Sequence, residues 1–172
     1  MKLNENIKRS ILECQKLYPE KRSALIPALH MAQSQEGYLP HEIQVEVANL
    51  FDLDPNEVHS IVTFYDMFFD KPVGKHLVHV CKNVSCMLRG SDQLLEKVCH
   101  KLNVNPGETT TDGEFTVLAS ECLGACDRAP MMLIDSEVVG PVSESDLDSI
   151  FEKTKNKPSH ISPIPLLEGF HG

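Results

Sequence analysis

The stretch LVHVCKNVSCMLRGSDQLLE, residues 77–96, decides the fold. Leu77 to Val80 is a short run rich in β-branched residues behind the turn-forming DKPVGK (70–75), which predicts a strand that delivers Cys81 at its end. Ser91 can then cap a helix whose buried stripe is Leu94, Leu95, Val98, Cys99 and Leu102. Downstream, NPGETTTDGE (105–114) is turn chemistry, and Phe115, Val117 and Ala119 alternate into a second strand that runs to Glu121 and Cys122. A strand, a crossover helix and a strand build a parallel pair. Met131–Ile134 and Glu137–Val139 flank Asp135-Ser136 as a two-residue hairpin, and Ser143 with Asp146 caps a last helix carrying Leu147, Ile150 and Phe151. The order β-α-β-β-β-α predicts an α/β fold with a small mixed sheet and helices packed on it.

This organisation gives the cysteines their meaning. Cys81 and Cys86 enclose four residues, KNVS, and Cys122 and Cys126 enclose three, LGA. Each pair begins where one of two parallel strands ends, so both loops are expected at one edge of the sheet. Four thiolates gathered at a point repel unless a multivalent cation holds them. One zinc accepts such spacings, and a [2Fe–2S] cluster takes two cysteines on each iron. Spacing alone leaves cluster, zinc and unrelated thiols open. Gly124 and Ala125 let backbone N–H groups approach sulfur, a means of tuning potential. Cys99 reads as a core residue and Cys14 as a packed or surface thiol. His79 shares a strand face with Cys81 and reads as a packed or hydrogen-bonded histidine.

The first seventy residues read as helices. Ile7, Ile11, Leu12 and Cys14 line the first, which ends near Tyr18-Pro19; Ala24–Gln35 forms a second with Pro27 in its first turn and Gly37 closing it. Leu39-Pro40 opens a third that runs to about Phe51. In DPNE (54–57), Asp54 caps a fourth, Pro55 suits its first position and Glu57 completes a capping box. Two short helices around residues 52–54 suggest a helix-turn-helix, but no Lys or Arg lies between Ser23 and Asp70 to meet phosphates. The segments YLPHEIQVEVANLF (38–51) and TFYDMFF (63–69) read as an exposed apolar surface suited to docking a partner.

The 172 residues carry a net charge of −9, which argues against nucleic acid or an anionic membrane as partner. The N-terminus shows neither a signal core nor a cleavage site, and no stretch approaches a spanning helix, so no direct membrane insertion is expected. These features predict a cytoplasmic chain, where thiols stay reduced and six cysteines point to metal or catalysis before disulfides. No nucleotide-binding glycine motif and no nucleophile with a base stands out, so no catalytic residue and no independent substrate site is expected.

At TFYDMF (63–68), HVCKNVSCMLRGSDQLLE (79–96), PGETTTDGEFTV (106–117) and ECLGACDRAPMMLI (121–134), the chain closely resembles the NuoE-type thioredoxin-like [2Fe–2S] subunits of bacterial NADH:quinone oxidoreductase, respiratory complex I. The resemblance runs over about residues 1–155. It implies a helical bundle (1–72) followed by a thioredoxin-like ferredoxin domain (73–157); beyond the resemblance, the three prolines of PSHISPIPLLEGFHG (158–172) predict an extended C-terminal arm. The resemblance further implies one [2Fe–2S] cluster on Cys81, Cys86, Cys122 and Cys126, exchanging electrons with the FMN of a partner subunit that binds flavin and NADH. The complex would hold the chain peripherally on the cytoplasmic face of the inner membrane. Related subunits serve NAD-linked hydrogenases and formate dehydrogenases, one alternative; a zinc-stapled interaction module is the other.

Overall fold

The computed structural model describes residues 2–158, so all of the predicted arm except Pro158 lies outside the described residues. The chain forms two compact units that part between Pro72 and Val73.

The first unit holds α1 (Glu5–Gln15), α2 (Leu25–Gln33), α3 (His41–Phe51) and α4 (Pro55–Phe64). Their apolar stripes meet in one core that includes Ile11, Leu29, Leu39, Ile43, Val47 and Val62. Each such side chain removed from water contributes about 1.5–3 kcal/mol before the cost of ordering it. Helix α2 is shorter than its apolar pattern suggests. Lys21–Ala24 is a 3-10 turn, and Gly37, at φ 81°, donates its N–H back to the Gln33 carbonyl at 2.7 Å. Asp54 caps α4 through the Asn56 N–H, but Glu57 does not close a capping box; it pairs with Arg22 at 2.8 Å. The expected exposed surface over 38–51 is also corrected, because Ile43, Val47, Ala48 and Phe51 are buried. Phe64, Tyr65 and Met67 do face solvent, with Phe64 76% exposed.

The second unit is built on β1 (His76–Cys81), β2 (Phe115–Ser120), β3 (Met132–Ile134) and β4 (Glu137–Val139), in the sheet order β2-β1-β3-β4. Strand β1 runs parallel to β2, and β3 pairs antiparallel with both β1 and β4. Three helices belong to this unit: α5 (Val84–Leu88), α6 (Ser91–Leu102) and α7 (Leu147–Lys155). Helix α6 packs on β1 and β2, and Phe151 of α7 meets Phe115 edge-on with centroids 5.3 Å apart. As the central strand, β1 is buried almost throughout. The hairpin closes at Asp135, whose φ of 54° is a conformation that Asp tolerates. The capping box at Ser143 and Asp146 is present, although a 3-10 turn, Glu144–Asp146, precedes α7.

One expectation fails at α6. Gly90 takes the capping position with φ 90°, and its carbonyl accepts the Leu94 N–H at 3.1 Å. Ser91 therefore becomes the first helical residue, buried with its hydroxyl unbonded among the described residues. The turn needs a left-handed residue between α5 and α6, and glycine adopts that conformation without steric cost.

Gly140, at the end of β4, lies so close to the 128–131 segment that a methyl group there would sit 2.8 Å from the Met131 Cβ and overlap the Arg128 carbonyl. Overpacking of this kind costs roughly 1–3 kcal/mol. Gly140→Ala is expected to lower stability by about 2 kcal/mol in urea unfolding, with an unchanged dependence on urea concentration.

Candidate metal centre

The register of the parallel pair sets the geometry. Cys81, the last residue of β1, stands opposite Ser120, the last of β2. The Lys82 N–H extends the ladder one step further, donating to the Ser120 carbonyl at 2.8 Å. Cys122 follows Ser120 by two residues, so both cysteine loops leave the sheet at the same edge, as the strand-helix-strand pattern requires.

The four thiols occupy two kinds of surroundings. Cys81 and Cys86 are buried, 3% and 2% exposed, and pack with Ala129 and Met131 in a small apolar cluster that Leu123, Ala125 and Val138 flank. Cys86 reaches this pocket because KNVS is not a plain loop. Asn83 caps the five-residue helix α5, its side chain accepting the Val84 N–H at 3.0 Å, and the helical turn points Cys86 inward. The sequence reading treats this segment as loop, although an Asn directly before a short helical run is an N-cap signal. Cys122 and Cys126 are exposed, the latter opening a 3-10 turn, Cys126–Arg128. Between them Gly124 has φ 79° with open space where a side chain would stand.

Burial pushes the Cys86 thiol up, and a hydrogen bond with Cys81 and the charges of Cys81 and Cys126 push the same way; only a backbone bond at Met131 opposes them. With Cys81 and Cys126 this near, Cys86 favours its protonated state until a cation compensates the charge. Among the described residues, no group of three or more His, Cys, Asp or Glu side chains stands at metal-holding distances. The structure thus brings Cys81 and Cys86 together, places Cys126 within their electrostatic reach, and leaves Cys122 at the solvent side of the same edge. The donor set fits an iron–sulfur cluster: four soft thiols in two pairs at one sheet edge, with an apolar floor under the first pair.

The remaining candidates have other surroundings. His79 Nδ1 bonds the Ser120 Oγ at 2.9 Å, an ordinary cross-strand contact. Cys14 is in the core of the first unit, and Cys99 packs at the edge of the second unit's core; burial pushes both thiols up. Sequence reasoning does not single out Asn83 and Glu121 as partners. The Asn83 Nδ2 donates to the Glu121 Oε2 at 3.3 Å, across the two cysteine loops.

Comparison with known proteins gives this edge its context. Residues 11–155, which include all four cysteines, match the family model described as thioredoxin-like [2Fe-2S] ferredoxin. An E subunit of NADH-quinone oxidoreductase from Rhizobium meliloti (strain 1021) is 42% identical over 135 residues, 78% of this chain and 80% of that protein. The E subunit of the same oxidoreductase from Aquifex aeolicus (strain VF5) is 34% identical over 149 residues, 87% of this chain and 93% of that one. An NAD+-reducing [NiFe]-hydrogenase, solved in the air-oxidized state, matches with a TM-score of 0.66 at 28% identity; the match covers 76% of this chain but only 22% of the hydrogenase chain. The family supports a [2Fe–2S] cluster as the cofactor, and no helix among the described residues is long and apolar enough to cross a membrane. Relatives of the chain include E subunits of NADH-quinone oxidoreductase, and the chain belongs to the thioredoxin-like [2Fe-2S] ferredoxin family.

Proposed function

We propose that this chain is the electron-transfer subunit of an NADH:quinone oxidoreductase, holding one [2Fe–2S] cluster on Cys81, Cys86, Cys122 and Cys126. The observation that carries the reading is the register of Cys81 with Ser120, which sends two cysteine pairs from one sheet edge. When bound, the cluster supplies a one-electron acceptor and donor. The chain's own residues hold and shield it. The buried pair, over Ala129 and Met131, excludes water on one side, while the exposed pair opens the other side toward a partner. The partner in this reading is the subunit that binds NADH and FMN, and the complex lies on the cytoplasmic face of the inner membrane. The bundle (1–72), the ferredoxin domain (73–157) and the Pro-rich arm (158–172) are three functional parts in the same reading.

The second reading is the same module in an NAD-linked hydrogenase or formate dehydrogenase, and the likeness to an NAD+-reducing hydrogenase favours the first of these. The chemistry asked of the four cysteines is identical there.

The charges at the edge favour a low potential. Glu121 and Asp127 adjoin the second cysteine pair, balanced by Lys82, Arg89 and Arg128, of which Lys82 pairs with Asp92 at 3.3 Å and Arg128 with Asp127 at 3.8 Å. In a chain of net charge −9, added negative charge on reduction is disfavoured. The midpoint is expected in the lower part of the roughly −700 to +450 mV known for such clusters. A redox titration placing it above zero would contradict this.

Iron, zinc and acid-labile sulfide in the anaerobically purified chain test the cofactor. About two irons and two sulfides, with a rhombic EPR signal after dithionite reduction, are expected; about one zinc without sulfide would establish a structural staple instead. For docking, the exposed Phe64, Tyr65 and Met67 are the surface of choice. Phe64→Asp is expected to abolish co-purification with the flavin-binding partner while leaving the cluster signal intact. Undiminished co-purification would move the interface elsewhere.

A further inference from the structure

The backbone ladder between β1 and β2 stops at the Lys82 N–H and the Ser120 carbonyl. Among the described residues, no further backbone hydrogen bond joins the two cysteine loops. The next rung is made of side chains, the Asn83 amide donating to the Glu121 carboxylate. Asn83 also accepts the Val84 N–H and so fixes the start of α5, which carries Cys86; Glu121 is the residue before Cys122. One amide thus touches the support of the buried pair with its oxygen and the support of the exposed pair with its nitrogen.

We propose that Asn83 is a positioning residue, a clasp that holds the two cysteine loops at the separation the cluster needs. This rests on the cluster reading above. The structure gives a reason for such a device. The first pair is anchored by burial, but the second is solvent-exposed around an open Gly124, so its approach to the first needs an outside restraint. Asn suits the place because it alone combines a strong N-cap acceptor with an amide donor.

The test exchanges donor and acceptor. Asn83→Asp keeps the cap but turns the donor into a second carboxylate facing Glu121. Glu121→Ala removes the acceptor. A double variant combining Asn83→Asp with Glu121→Gln rebuilds the bond with reversed polarity and unchanged net charge, since the amide introduced at position 121 would donate to the carboxylate introduced at position 83. Iron release from the loaded chain to a ferrous chelator is followed, with the EPR line shape as a second readout. Each single variant is expected to release iron about fivefold faster, the factor that the loss of one hydrogen bond of ordinary strength represents. Its EPR signal should broaden. The double variant should return to within about twofold of the wild type and recover the line shape. Should Asn83→Asp fail to load, the double variant must restore loading. Release from Asn83→Asp at the wild-type rate overturns the clasp, and so does a double variant no better than Asn83→Asp. A wild type that takes up neither iron nor sulfide overturns the cluster reading and the clasp together.

Discussion

The parallel pairing of β1 with β2 is the constraint on which the site depends. Pairs of cysteines separated by thirty-five residues come to one sheet edge because the crossover through α5 and α6 returns the chain to run beside its first strand in the same direction. Parallel neighbours joined by a crossover end at the same edge, and the register decides how closely. With Cys81 opposite Ser120, the second pair begins two residues past the last rung. A slip of one residue would turn every side chain on β1 to the other face and carry Cys81 out of its buried pocket.

The opposite end of the same strands holds that register. The Asp135 carboxylate accepts the Leu77 N–H and meets the buried His76 Nδ1, each at 2.8 Å, so the hairpin is tied to the start of β1. Gly74 donates to the Thr116 hydroxyl at 2.6 Å, and a methyl group on it would lie 2.7 Å from the Phe115 backbone. Hydrogen bonds to an ionised group are among the stronger ones available. The sheet is thus pinned by polar contacts at the end that carries no cysteines. The other end holds the thiols, one short helix, the contact of His79 with Ser120 and the bridge of Asn83 to Glu121. This division suits a ferredoxin-type chain: the rigid part sets the position of the metal site, and ligand loops with little backbone bonding between them can adapt to what they hold.

Burial also divides the four thiols. Two lie over an apolar floor and two face water, and in the buried pair the surroundings of Cys86 disfavour its charged form. The exposed half of the edge is the half that a redox partner can approach. In the first unit, by contrast, most of the apolar residues of 38–51 are spent on the core, and the exposed Phe64, Tyr65 and Met67 follow at the end of α4.

Element order apart from α5, the two cysteine pairs and their placement at strand ends are legible in the amino-acid sequence, because they rest on local periodicity and turn chemistry, which need only neighbouring residues. The hairpin at Asp135-Ser136 and the capping box at Ser143 are legible for the same reason. Long-range packing settles the rest. Ser91 has the chemistry of a cap, but the turn from α5 requires a left-handed Gly90 and moves the helix start. Glu57 has the spacing of a capping box, yet Arg22, distant in sequence, captures it. Gln44, though polar, is 2% exposed, its amide bonded to the Leu39 carbonyl and to His59. The contact of Asn83 with Glu121 belongs to the same class. The contacts of Arg22 with Glu57 and of Asn83 with Glu121 join groups far apart along the chain, and a local pattern does not encode which distant partner arrives once the core has closed.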